Sequence, residues 1–354
     1  MGDEVDPIAE AKAIMTPKKV LMVITSTDKY PDETPTGFWL TEATHPYQKW
    51  TAAGWSVECC SITGSAAVDP SSVEGADADS LAWKESNAAM LEGQLPTLES
   101  VVAREEFDFD VLFFSGGYGA CWDFPENEHV KAVTVKMWEA GKIVAAVCHG
   151  PLALINVELG DGTKLLAGKT VTGFSNAEEE KMGKTDVVAK GSGPGSCEDM
   201  MGSSEAVEGC AGGNFECAGV FEAKVCIDGN LITGQNPPSA APLADAVLYA
   251  LDPIRAEFEP QRNALLEERA PIAKELQTKK EEFVVALNAL KQDEKANYDK
   301  IDNLGLLARA TSDWLTGQLQ TIDTKLERVA ARRHDKVSKY EKILADAAAA
   351  EAEE

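Results

Sequence analysis

Short apolar runs recur through the first two thirds of the chain, each bounded by polar or glycine-rich punctuation. The first is Val20-Leu-Met-Val-Ile-Thr25. It is apolar at successive positions rather than alternating, which predicts a strand covered on both faces. Trp55–Ile62, Asp110–Phe114 and Lys142–Val147 repeat the pattern, and shorter runs stand at 170–172, 223–227 and 231–233. Residues 36–53 and 126–140 read as helices that stop at Gly54 and Gly141, residues where a left-handed backbone is cheap. Another helix is expected after Cys148, through about Val157, and an alanine-rich one at 238–251. Strands alternating with helices predict an α/β unit with a parallel sheet covered on both sides.

The pattern changes at Asp252-Pro253, a pair suited to capping and starting a helix. No strand pattern follows. Leu315, Leu319, Ile322, Leu326 and Val329 recur at four-three spacing, a heptad seam, and Ile272, Leu276, Phe283, Leu287 and Leu290 form a comparable stripe upstream. A long antiparallel helical hairpin, a coiled coil, is therefore expected over 253–345, kinked at Pro271 and turning near Gly305. The expected organisation is an N-terminal extension over 1–16, an α/β domain over 17–252 and the hairpin module over 253–354. The stretch 191–219, rich in Gly, Ser and Cys, is expected to be loop.

Charge narrows the function. The chain of 354 residues carries a formal charge of -26. Residues 253–354 hold 17 basic and 20 acidic side chains, leaving 16 and 39 before them. An α/β unit so acidic repels phosphate backbones and anionic membranes, so neither nucleic acid nor membrane is an expected partner. The first twenty residues lack a basic start and apolar run, and Asp6 stands where myristoylation needs Ser or Thr. The eight cysteines then read as free thiols in a reducing, cytoplasmic compartment.

Three segments carry candidate chemistry. Val147-Cys-His-Gly150 lies between a strand and an expected helix, a turn that lifts one side chain above the sheet. Unpaired amides of the following helix would stabilise a thiolate, so a lowered pKa is expected for Cys148. Ser115-Gly-Gly-Tyr-Gly119 ends the neighbouring strand, and its glycines let backbone amides approach a substrate oxygen. Gly116, Gly117, Tyr118 and His149 are thus candidate oxyanion and pocket residues. Glu42, in a segment with Phe38, Trp39 and Leu40, is either solvent-facing or a positioned acid/base. Cys197, Cys210, Cys217 and Cys226 lack metal-ligand spacing, and no metal is expected.

The set TGFWLTEATHP (36–46), FFSGGYGACWDFP (113–125), AAVCHGPLAL (145–154), VTGFSNAEE (171–179) and DGNLITGQNPPSA (228–240) resembles the ThiJ/PfpI superfamily. It is most similar to the branch of glutathione-independent glyoxalase III and Hsp31-type chaperones. The resemblance implies a flavodoxin-like three-layer sandwich and a Cys-His-Glu triad in which Cys148, His149 and Glu42 match, the glutamate sharing a proton with the cysteine. It also implies cofactor-free conversion of a small dicarbonyl, methylglyoxal, to D-lactate, or a related deglycase or stress-chaperone role. Two departures stand out: Tyr118 replaces the histidine usual between these glycines, and 191–219 replaces a proline-aromatic, leucine-rich segment. The hairpin has no counterpart in the typical member. It sets up the alternative of a scaffold protein with reduced activity, docking a partner or a second copy through these helices.

Overall fold

The computed structural model describes residues 7–189, 193–203, 209–291 and 294–353. The chain divides into two compact units, Pro17–Leu248 and a second that joins Tyr249 onward to the N-terminal segment.

The first unit is built on the apolar runs. They form β1 (Lys19–Ile24), β2 (Ser56–Ser61), β3 (Val111–Phe114) and β4 (Ile143–Val147), followed by the short β5 (Thr170–Val171) and β6 (Asn214–Phe215), then β7 (Val225–Asp228) and β8 (Leu231–Gly234). Six of them make one sheet in the order β2-β1-β3-β4-β8-β7, while β5 and β6 pair separately. Every pairing in the large sheet is parallel except that of β7 with β8. All residues of β3 and β4 are buried, as runs without alternation require. Register places Val23 beside Phe114 and Phe114 beside Ala146, so the carboxyl ends of β1, β3 and β4 share one edge. Strand order reverses between β1 and β3, and sites in such sheets form outside that edge.

The helix expected over 36–53 spans Leu40–Ala52. Its first residues stay extended because Phe38 donates its amide to Ala67 and accepts from that of Asp69. Trp50 anchors this helix: its ring meets Phe113 edge-on at 5.2 Å and its indole N–H donates to the Ala244 carbonyl. The expected helix after Cys148 is a single 3-10 segment, Gly150–Leu154. Within 191–219, Cys197–Met201 is helical. Residues 190–192 and 204–208 lie outside the described ones.

In the second unit Asp252 caps the helix Pro253–Lys291, accepting the Arg255 amide at 2.8 Å. The helix continues through Pro260 and Pro271. The partner helix, Glu294–Glu353, runs antiparallel, because Glu257 pairs with Lys336 and Arg269 with Asp323. Leu315, Ile322 and Val329 of the seam are buried, and Leu319 and Leu326 are half-buried. The side chains of Leu287 and Leu290 lie outside the described residues. Gly305 does not make the turn: it sits inside the second helix. One interior glycine costs about 1 kcal/mol, too little to break a helix supported by a packed seam. The N-terminal helix Pro7–Met15 is part of this unit, with Ile14 packed against Ile254, Phe258 and Val329. No helix among the described residues is long and apolar enough to cross a membrane.

Candidate active site

Cys148 follows the last residue of β4 and has φ +60°, a left-handed conformation that a side chain adopts only under constraint. The constraint is a set of hydrogen bonds. Its N–H donates to the Gly234 carbonyl at 2.9 Å, and its own carbonyl accepts the Phe174 amide at 2.9 Å and the Cys197 thiol at 3.4 Å. The adjacent Ser115–Gly119 turn lies against Cys148, with the Gly117 amide toward the sulfur. A Cβ on Gly116 would collide with the Glu42 carboxyl and the Cys148 Cβ. A Cβ on Gly117, where φ is +109°, would strike the Gly37 carbonyl and the Trp39 amide. Only glycine lets this turn come so close.

Two carboxyl groups divide the work around Cys148. Glu42 belongs to the helix Leu40–Ala52 and is fully buried. Neither of its oxygens completes a hydrogen bond of ordinary geometry; the Cys148 thiol and the Gly116 amide are the groups it faces. Burial pushes its carboxyl up to about 8, so it is largely protonated at neutral pH. The second carboxyl is Glu179, from the helix Asn176–Met182. Its Oε1 lies 2.7 Å from His149 Nε2, and its Oε2 accepts the Tyr118 hydroxyl at 2.9 Å. His149 Nδ1 lies 3.4 Å from Cys148 Sγ. The imidazole packs against the rings of Tyr118 and Phe174, with centroids at 4.4 and 4.8 Å.

Cys148, His149, Glu42, Gly116, Gly117 and Tyr118 thus converge on one place, with Glu42 at the sulfur as the resemblance implies. The carboxylate on His149 is an addition to that set, Glu179. The tandem Glu178-Glu179 in the VTGFSNAEE segment carried the signal, but two adjacent glutamates on a helix ordinarily face solvent. Here both are buried, Glu178 within the capping box with Ser175. The expected lowering of the thiol is not found: burial and the Glu42 carboxyl push Cys148 up, and the Gly117 amide opposes them without prevailing. The five-residue 3-10 segment offers little of a longer helix's field. His45 pairs instead with Asp77. Cys148, His149, Glu42, Glu179 and Tyr118 are each no more than 3% exposed. Among the described residues no cluster of three or more His, Cys, Asp or Glu is placed to hold a metal.

The DJ-1/PfpI family profile matches residues 34–250, well over half the chain. The chain belongs to the DJ-1/PfpI family. Its relatives include Glyoxalase 3 of Candida albicans, 29% identical, with 66% of this chain and 98% of the relative aligned. The glutathione-independent glyoxalase HSP31 of Saccharomyces cerevisiae is 30% identical, covering 67% of this chain and 99% of the relative. Among solved structures, Rapid Encystment Protein 24 KDa of Francisella tularensis superposes with TM-score 0.59 at 33% identity, over 66% of this chain and 99% of its own. Glyoxalase III of Candida albicans superposes with TM-score 0.57 at 27% identity, over 66% and 97%. These matches take in nearly the whole of each relative yet only two thirds of this chain.

Proposed function

We propose that this DJ-1/PfpI member is a glutathione-independent glyoxalase that converts methylglyoxal to D-lactate with Cys148 as nucleophile. The observation that carries the reading is the Cys148 sulfur set between His149 Nδ1 and the buried Glu42 carboxyl. His149 takes the thiol proton and the sulfur adds to the aldehyde carbon, giving a hemithioacetal. The amides of Gly117 and His149 steady the oxygen that gains charge. Glu42, poised near 8, is present in both protonation states around neutral pH. As acid it protonates the ketone oxygen, and as carboxylate it takes the proton from the former aldehyde carbon. Return of a proton to the neighbouring carbon leaves a lactoyl thioester, which water hydrolyses to lactate and free thiol. No redox partner is consumed, since one carbon is oxidised as its neighbour is reduced.

The test is lactate release from methylglyoxal without glutathione. The native chain is expected to turn over and Cys148→Ala to be inactive with an unchanged melt; native-level turnover by the variant would exclude the mechanism. The helical unit supports a second role as a docking module for a protein partner or second copy. Trp314, Leu306 and Leu307 are each more than half exposed there, which a purely internal brace does not require.

A further inference from the structure

We propose that Tyr118 is a positioning residue, whose hydroxyl locks the Glu179 carboxylate so that His149 presents Nδ1 to the Cys148 thiol. This deepens the reading of Cys148 as the nucleophile and rests on it.

An ionised carboxylate only accepts hydrogen bonds. Glu179 Oε1, 2.7 Å from His149 Nε2, therefore requires the proton on Nε2. That tautomer leaves the Nδ1 lone pair directed at Cys148 Sγ, 3.4 Å away, where it can receive the thiol proton. The arrangement holds only while Glu179 keeps its orientation. Glu179 is 1% exposed, so water is not at hand to satisfy its second oxygen. Tyr118 supplies that donor at 2.9 Å. Its phenol stays protonated, because burial and the Glu179 charge both push its pKa up. The hydroxyl thus points to the far side of Glu179, and its influence on the sulfur passes through Glu179 and His149. The ring has its own contacts, with Tyr30 at 5.7 Å and Phe174 at 6.2 Å, and a phenylalanine would retain them.

The test is the rate at which iodoacetamide alkylates Cys148 at neutral pH, read at the Cys148 peptide by mass spectrometry, with a thermal melt of each protein. Tyr118→Phe is expected to slow alkylation about tenfold, the effect of one lost hydrogen bond to a charged group. Glu179→Gln is expected to slow it at least as much. Adding Tyr118→Phe to Glu179→Gln is then expected to change the rate by less than about twofold, because the hydroxyl acts through that carboxylate. Alkylation of Tyr118→Phe at the native rate overturns the proposal. So does a second full tenfold loss in the double variant, which would assign the effect to packing. A native chain whose Cys148 is not alkylated overturns it as well, since no activated thiol would then exist. Alkylation uses no dicarbonyl. A chain inactive on methylglyoxal that still follows this pattern would lose the glyoxalase reading and keep the positioning role.

Discussion

Replacing Glu42 by glutamine should change how stability depends on pH, and the structure sets both sign and size. Glu42 is fully buried, and its carboxyl rises from an ordinary 4.5 to about 8. The unfolded chain therefore releases this proton at lower pH than the folded one. The contribution is fully present below about 4.5 and is lost as pH rises to about 8. At about 1.4 kcal/mol per pH unit, the loss is about 3 kcal/mol by pH 7 and about 5 kcal/mol over the window. Glutamine has the same shape and never ionises. Glu42→Gln is expected to melt higher than the native chain at pH 7, relative to their difference at pH 4.5, by about 6–12 °C for a unit of this size. Tryptophan fluorescence follows the right unit, because six of the seven tryptophans precede residue 252. Asp123 is also pushed up by burial, to about 6, but it is common to both proteins and cancels in the comparison. The same variant should lose lactate formation, trading activity for stability. Parallel native and variant curves from pH 4.5 to 8, or a native chain that gains on the variant over that range, would refute the reasoning.

Two further outcomes follow from geometry. Gly117→Ala places a Cβ against the Gly37 carbonyl and the Trp39 amide at a φ of +109°, so a loss of about 3 kcal/mol or more is expected; a native-like melt would contradict it. A chain ending at Leu251 is expected to fold and keep any methylglyoxal turnover of the full chain, since relatives are matched over 98–99% of their length by two thirds of this chain. Aggregation, or loss of a cooperative melt, would show that the helical unit is needed for the α/β unit to fold.

The sheet was legible because its strands are short uninterrupted apolar runs. Val20–Ile24, Val111–Phe114 and Ile143–Val147 are covered on both faces, and no other local pattern suits them as well. The Cys148 turn was legible for a related reason, since a strand running straight into Cys-His-Gly leaves little choice of geometry. The seam at Leu315, Ile322 and Val329 followed from heptad spacing alone. Gly305 was misleading because local propensity is weak beside tertiary packing.

What the sequence determined by itself was therefore the set of elements, the helical character of the last third, and the placement of Cys148 at a strand end beside its glycine turn. These depend on periodicity and on backbone conformations open to few residues. Only the tertiary structure supplied the acid on His149 and the burial of both carboxyls. Glu42 and Glu179 lie far apart in the chain, one on the helix Leu40–Ala52 and the other on Asn176–Met182. Both are acidic residues on short helices with nothing local to say that each is buried. Folding brings one to the Cys148 sulfur and the other between His149 and Tyr118. It also raises the thiol where a helix terminus promised to lower it, because burial outweighs the field of so short a 3-10 segment. Ionisation and pairing are properties of an environment, and that environment exists only once distant segments have packed together.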